Sequence, residues 1–290
     1  MSRRVETAMW DVQVSDVGLP ISDVGAWTEE KHRLVGYYAG MFATAMKKKW
    51  ECRVYIDLFA GSGFSRLKET GRIIPGSPFY ALNITDKFDR YIFCDSDKRN
   101  VEALKCRINE RYKDVEIVYL NEDVNACAPE IVDKIPMHSR SFKVLSFCLI
   151  DSYKLDDISF STIRCLSQKY IDFLILIPTY MDINRNIANY CKPGNKVIEE
   201  FLDDDSWRNL WQEVQRKNKS FPIFVLEQFS QRMRNLNYQY GGSENAELVR
   251  RAENKMPLYH LTFFSRNELG GKFWDKARQG VDPQRHLFGQ

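Results

Sequence analysis

The sequence predicts an α/β fold: a doubly wound, mostly parallel sheet with a C-terminal antiparallel strand and a helical insertion. Three observations predict it. Between residues 53 and 177, short apolar segments rich in β-branched and aromatic residues alternate with helical segments over short connections, the pattern of a parallel sheet with crossover helices. The first such segment, Val54-Tyr-Ile-Asp-Leu-Phe-Ala-Gly-Ser-Gly63, runs into a turn carrying two glycines. Each of the first four strand candidates ends at or near an aspartate, at Asp57, Asp95, Asp123 and Asp151. In a parallel sheet those ends share one edge, where ligands bind.

The elements follow in order. Residues 1–26 lack periodicity and contain Gly18, Pro20 and Gly25, so they read as an irregular lead-in in which Trp10 docks on the body. One domain is expected over residues 27–280. Thr28 reads as an N-cap, with Glu29 and Glu30 in the first turn. Leu34, Tyr37, Tyr38, Met41, Phe42, Ala45 and Met46 recur at three- and four-residue spacing. They predict an amphipathic helix from about Glu29 to Lys49, closed by Lys47-Lys48-Lys49. A strand at Arg53–Leu58 precedes the glycine turn, and the polar residues 64–75 read as a loop. Ser77 then caps a short helix with Pro78 at its first position. Strands follow at Tyr91–Cys94, Val115–Leu120, Lys143–Ile150 and Asp172–Ile177, with helices at Lys98–Tyr112, Ala126–Lys134 and Ser159–Gln168 between them. The largely apolar fourth strand suits a sheet covered on both faces.

Beyond Tyr180 the alternation stops. Asp182–Asp205 and Trp207–Lys219 read as helices around the break Cys191-Lys-Pro-Gly-Asn195, followed by the apolar positions Phe224, Val225, Leu226 and Phe229. The helical insertion is placed at about residues 181–235. A strand at Tyr238–Tyr240, a stronger one at Leu258–Ser265 and a last helix after Gly270-Gly271 complete the domain, and residues 281–290 form a loose tail.

Composition narrows the class. A chain of 290 residues accommodates one large α/β domain, and 44% hydrophobic with 13% aromatic residues exclude wholesale disorder. The net charge of +3 is too balanced to identify a nucleic-acid binder. The seven cysteines show no paired spacing, so they read as reduced thiols, neither a disulfide frame nor a zinc site. No stretch approaches the ~18 apolar residues of a membrane span, and a cytoplasmic protein is expected.

The pattern D-x-F-x-G-x-G departs from the dinucleotide fingerprint, because Arg66 stands where the third glycine belongs. An acidic residue ahead of the glycines suits a cation-bearing ligand, S-adenosylmethionine (SAM). The expected cofactor-binding residues are Asp57, Phe59, Gly61, Gly63, Asp95 and Asp123. Asp57, directly or through water, would pair the ligand ammonium beside the approach at Gly61 and Gly63. Asp95, preferred over Asp97, would accept from the ribose hydroxyls, and Asp123 from the adenine amino group. The competing role for each aspartate is a helix N-cap.

Asp151-Ser-Tyr-Lys154 stands where acceptor would meet donor. Asp151 and Tyr153 are the catalytic candidates, one accepting from an amine and the other stacking on a base, against a capping or packing role. The match to Asp/Asn-Pro-Pro-Tyr/Phe of amino-methyltransferases is partial. His32, His138, His260 and His286 have no metal-ligand spacing, and His260 reads as a core side chain. Trp207, Trp211 and Trp274 read as anchors. Arg208, Arg216, Lys217, Lys219, Arg232 and Arg234 read as a solvated face in preference to a nucleic-acid surface.

Together these residues resemble the three-Cys-motif partner (TcmP) family. The resemblance is carried by Trp27-Thr with Lys31, Tyr37-Tyr38, Tyr55-Ile-Asp-Leu-Phe-Ala-Gly-Ser-Gly63, Gly76-Ser-Pro78 and Phe93-Cys-Asp-Ser-Asp97. Further on it includes Ile150-Asp151, Arg185, Phe201, Trp207-Arg208, Leu258-Tyr-His-Leu261 and Gly271-Lys-Phe-Trp274. It implies a Rossmann-like methyltransferase fold and a partnership with a radical-SAM-like protein carrying the three-cysteine motif. Two positions depart from the family: Asp-Pro-Phe/Tyr-Gly is replaced by Asp151-Ser-Tyr-Lys154, and the frequent proline before the second glycine by Ser62. The expected function is SAM-dependent methyl transfer to nucleic acid. The alternative is a weak or inactive accessory partner of the radical-SAM-like protein, in phage defence or nucleic-acid modification.

Overall fold

The first strand of the central sheet forms at the apolar run expected to carry it. The computed structural model describes residues 18–109, 111–251 and 253–281; Trp10 with the rest of residues 1–17, and the tail from 282 with His286, lie outside the described residues. β1 (Ser22–Val24) and α1 (Trp27–Met46) lead to β2 (Cys52–Asp57), a hairpin of β3 (Phe64–Leu67) and β4 (Ile73–Pro75), and α2 (Ser77–Leu82). β5 (Arg90–Cys94), α3 (Lys98–Asn109), β6 (Ile117–Leu120), α4 (Val124–Lys134), β7 (Val144–Ile150), α5 (Phe160–Leu166) and β8 (Ile171–Ile177) follow. A π-helical turn at Thr179–Ile183 opens the helical segment α6 (Ile187–Tyr190), α7 (Val197–Leu202), α8 (Trp207–Gln215) and α9 (Phe221–Asn235). β9 (Tyr240–Gly241), β10 (Glu247–Arg250), β11 (Pro257–Ser265) and α10 (Glu268–Val281) complete the chain as described.

The central sheet has the order β10-β11-β8-β7-β2-β5-β6. β2, β5, β6, β7 and β8 are parallel, and β11 runs antiparallel between β8 and β10. The direction of winding reverses between β2 and β7, the switch point at which such sheets open a crevice. Alternation along the strands sorts the core into two layers. Val54, Ile56 and Leu58 face a cluster with Cys127, Ile163, Phe201, Trp207 and Phe229, on the side of α4, α5, α7 and α9. Tyr55, Phe93, Phe147 and Leu149 face the other cluster, with Tyr38, Phe42, Leu104 and Trp274 of α1, α3 and α10. The same alternation turns Asp57 toward the α1 side.

Several expectations are corrected. Thr28 does not cap α1: the N-cap is Ala26, and Thr28 is buried inside the helix. Ser22–Val24 of the lead-in and the expected loop 64–75 form strands, a small sheet of order β1-β3-β4. Only Phe64 and Leu67 of β3 are buried, too brief an alternation to mark a strand. Ser77 is the first residue of α2, behind an N-cap at Gly76. Gly270 and Gly271 lie within α10, not ahead of it. A Cβ on Gly270 would stand 2.5 Å from Ser265 Oγ and 3.1 Å from Asp172 Oδ2, so this glycine permits close helix–strand approach and breaks nothing. β10 had no counterpart in the sequence reading; it is a partly exposed edge strand. His260 is buried as expected and hydrogen-bonds Thr179 Oγ1 at 2.9 Å through Nδ1.

Candidate functional site

The site grows from the end of β2. The chain leaves Asp57 through Leu58, whose N–H donates to Leu149 O at 3.1 Å, and Ala60, whose N–H donates to Cys94 O at 2.9 Å. These bonds tie the glycine turn to both neighbouring strands. Gly61 and Gly63 have φ of +63° and +90°, conformations that L side chains rarely adopt. Their surroundings differ. A Cβ on Gly63 would lie 2.8 Å from both Leu104 Cδ1 and Phe79 Cε2, whereas over Gly61 there is open space. Gly76 donates to Gly63 O at 2.7 Å, which draws the Gly-Ser-Pro segment against the turn. Gly63→Ala combines a strained φ with a clash and should destabilise by about 2–4 kcal/mol, read by urea unfolding. Gly61→Ala lacks the clash, so equal losses at both positions would contradict this packing.

Asp95, one residue past β5, accepts from Gly61 N–H (2.9 Å) through Oδ2 and from Asp97 N–H (2.9 Å) and Asn100 Nδ2 (3.1 Å) through Oδ1. It therefore holds the turn as well as facing it. Asp97 is paired with Arg99 at 2.7 Å instead. Asp123 is the N-cap of α4, accepting from Asn125 N–H at 2.9 Å through Oδ1, so its carboxylate has the capping role in this structure. Phe59 is half-buried, its N–H 3.3 Å from Asp57 Oδ1.

Asp57 and Asp151 meet on the α1 side of the switch point. Asp57 is fully buried, and burial first, then the neighbouring Asp151 charge, raises its pKa to about 7; Ser77, the Phe59 N–H and Lys31 pull it back down. Asp151 experiences the opposite balance. Burial raises its pKa, but Lys31 and His32 outweigh it and hold the carboxyl at about 2. Lys31 Nζ lies 2.5 Å from Asp151 Oδ2, with both side chains enclosed. Burial opposes the Lys31 charge, yet Asp151 keeps its pKa above the ordinary value. His32 Nε2 lies 3.8 Å from the same oxygen and Nδ1 3.3 Å from Pro75 O. Burial lowers its pKa, so the ring is neutral at pH 7. Asp57 Oδ2 and Asp151 Oδ1 are buried and have no hydrogen-bond partner among the described residues. Two acceptors left open beside a glycine turn fit a ligand that brings N–H donors or positive charge.

Lys31, His32 and Ser77 were missed as site residues. The signal was present: Thr28, Lys31, Leu34, Val35 and Tyr38 share one helical stripe, and a lysine interrupting a buried stripe implies a buried partner. The partner lies 120 residues away, beyond any local pattern. Tyr153 stands at the rim, 55% exposed, its ring centroid 5.8 Å from Lys31 Nζ. Much of the basic string is satisfied internally: Lys219 pairs with Glu227, Arg232 with Asp204 and Arg234 with Glu244, while Arg208 stacks on Trp207. Trp207 and Trp274 are fully buried anchors, and the seven cysteines are free thiols. Among the described residues, no group of three or more His, Cys, Asp or Glu side chains is placed to hold a metal ion, and no helix is long and apolar enough to cross a membrane.

The five parallel strands, the antiparallel strand set between the fifth and the edge, and the glycine turn at the switch point define a Rossmann-like α/β fold of the class I methyltransferase type. That assignment rests on strand order and direction. No family model and no curated protein matches the chain. Among solved structures it is similar to a Legionella pneumophila protein of the DUF519 family, with TM-score 0.49 and 12% identity over 89% of this chain and 94% of that one. It is also similar to an O-methyltransferase from Bacillus cereus in complex with SAH, with TM-score 0.45 and 9% identity over 86% and 85% of the two chains. A third is the O-methyltransferase TomG from Streptomyces achromogenes in complex with SAM, with TM-score 0.44 and 11% identity over 80% and 79%.

Proposed function

We propose that this protein is a cytoplasmic SAM-dependent methyltransferase acting on nucleic acid. The observation that carries the reading is the pair of open carboxylate oxygens, Asp57 Oδ2 and Asp151 Oδ1, buried beside the glycine turn at the switch point. SAM supplies an ammonium and a methyl group already activated on a sulfonium, so the protein's contribution is positioning and electrostatics. Asp57 accepts from the ammonium, and Asp151 adds negative charge beside it. The open space over Gly61 admits the amino-acid end. Asp95 accepts from the ribose hydroxyls with the lone pairs its three protein donors leave, and Asp123 from the adenine amino group through the oxygen not used in capping. Phe59 lines the same turn. The exposed ring of Tyr153 suits stacking on an acceptor base at the rim.

Isothermal titration with SAM and SAH tests this reading directly; absence of binding at millimolar ligand overturns it. Asp95→Ala should weaken binding roughly tenfold or more, since a carboxylate accepting a hydroxyl pair is lost and the Gly61 tether with it. Unchanged affinity would place the ribose elsewhere. Tritiated methyl transfer onto DNA, RNA and protein fractions then identifies the acceptor.

One feature favours a second reading, the accessory partner of a three-Cys-motif radical-SAM-like protein. The carboxylate that would accept from a target amine is closed on one oxygen by Lys31 at 2.5 Å, within a segment that departs from the family pattern. The family likeness itself rests on the motifs alone. Ligand binding without methyl transfer to any fraction, together with co-purification of the radical-SAM-like protein, would favour this reading.

A further inference from the structure

Away from the carboxylates, two thiols meet. Cys94 closes β5 and Cys127 lies in the first turn of α4; they are 33 residues apart in sequence, yet their sulfurs are 3.4 Å from each other. Both are free thiols, Cys94 fully buried and Cys127 4% exposed. Cys94 Sγ also reaches Glu122 O at 3.5 Å. This contact is placed unlike an ordinary pair of core cysteines. The carbonyl of Cys94 holds the Ala60 N–H at 2.9 Å, and the next residue, Asp95, holds the Gly61 N–H at 2.9 Å. On the other side, the Cys127 N–H donates to the carbonyl of Asp123 at 2.9 Å. The dithiol therefore joins the two elements that carry Asp95 and Asp123, and one of them is bonded directly to the glycine turn.

We propose that Cys94 and Cys127 form a dithiol modification site, oxidised to a disulfide by a peroxide, and that the disulfide displaces the end of β5 and loosens the glycine turn. Cys127 is the nucleophile. It is the less enclosed of the two thiols, at 4% exposure against none for Cys94, and its hydrogen-bond contact with the Cys94 thiol lowers its pKa. Its sulfur attacks one peroxide oxygen, giving a sulfenic acid and one water. Cys94 sulfur then attacks the sulfenic sulfur, the S–S bond forms, and the second oxygen leaves as water with the Cys94 proton. Two thiols and one hydrogen peroxide give one disulfide and two waters, the two electrons passing from sulfur to the peroxide. Bond formation draws the sulfurs from 3.4 Å to about 2.05 Å. Because β5 is bonded to the turn through Cys94 O and the Asp95 carboxylate, that movement strains the Ala60 and Gly61 hydrogen bonds.

The site and its effect on the turn stand independently of the cofactor; a consequence for SAM affinity rests on the proposed function. The test treats the purified full chain with hydrogen peroxide, alkylates it under denaturing conditions and maps the peptides by mass spectrometry. A Cys94–Cys127 cross-link is expected, reversed by dithiothreitol and absent from Cys127→Ser. Hydrogen exchange over residues 58–63 should be about tenfold faster in the oxidised than in the reduced protein, and unchanged by peroxide in Cys127→Ser. If that variant does not fold, Cys94→Ala serves the same purpose. Oxidation of the exposed Cys106 without the cross-link overturns the site, and a cross-link with unchanged exchange overturns its reach to the turn. SAH affinity should fall about tenfold on oxidation, the loss of one charge-assisted anchor. If the reduced protein binds no SAH, the functional proposal fails alone, and cross-link and exchange still decide the dithiol.

Discussion

Lys31→Met should destabilise the protein by about 3–5 kcal/mol, because it leaves Asp151 as a buried carboxylate without its cation. Both side chains of the pair are enclosed, at 3% and 9% exposure, so water cannot replace the lost partner. The loss is a large part of the roughly 5–15 kcal/mol that holds a domain together. Adding Asp151→Asn should recover most of it by removing the stranded charge, and the double-mutant cycle then gives a coupling of the pair. The pH dependence has a definite sign. Asp151 has a folded pKa of about 2, below its unfolded value, so its contribution is present above about pH 4 and disappears as pH falls toward 2. Urea unfolding of the four proteins at pH 7 measures all of this. A Lys31→Met loss within about 1 kcal/mol of zero would mean that the pair is solvated in solution.

Ligand affinity should follow the ionisation of Asp57. Its pKa of about 7 lies above the ordinary carboxylate value, so the folded protein holds this proton more tightly than the unfolded chain. The stabilisation this gives the ligand-free protein is full below about pH 4 and is lost as pH rises through 7, a span of order 4 kcal/mol. The ammonium of the proposed ligand would act in the opposite sense, since it would pair with the ionised form. SAH affinity should therefore rise about tenfold per pH unit between pH 5 and 7 and then level off, with a proton released on binding below pH 7. Lys31, Asp151, Tyr55, Cys94 and Cys148 surround the group, with His32 against Asp151. Lys31 and Asp151 remain charged over this range, burial raises the Tyr55 and Cys148 pKa values, and the hydrogen bond with Cys127, then burial, raises that of Cys94; burial lowers the His32 pKa. Asp57→Asn should weaken binding and flatten the profile. Asp172, also raised to about 7 by burial, lies near the start of β8, at the other end of the strands. Asp172→Asn should alter the stability curve and leave the binding profile intact. Titrations in buffers of different ionisation heat count the released proton, and a flat affinity from pH 5 to 8 would falsify the role given to Asp57.

The sheet was legible wherever a strand is buried on both faces, because such a strand must be apolar along its length. β2, β7 and β8 are buried at every position, and they are the segments the sequence marks most clearly. Edge elements were not legible in the same way. β10 is half-exposed, β3 buries only its two ends, and β4 is three residues long, so none of them presents an apolar run that marks a strand. Gly270 and Gly271 read as a break because a glycine pair is intrinsically poor in helices. Close packing on Ser265 and Tyr240 outweighs that propensity.

The site divides in the same way. The sequence by itself determined the parallel sheet, the strand-end aspartates and the glycine turn with its positive φ, because alternation and glycine chemistry are local properties of the chain. It left open which aspartates do what. Tertiary structure decided that Asp123 caps α4, that Asp95 tethers Gly61, and that Asp57 and Asp151 share one buried environment yet shift in opposite directions, Asp57 upward and Asp151 downward. The physical reason is that a carboxylate's charge state is set by burial and by the nearest cation. That cation, Lys31, comes from a helix 120 residues away in sequence.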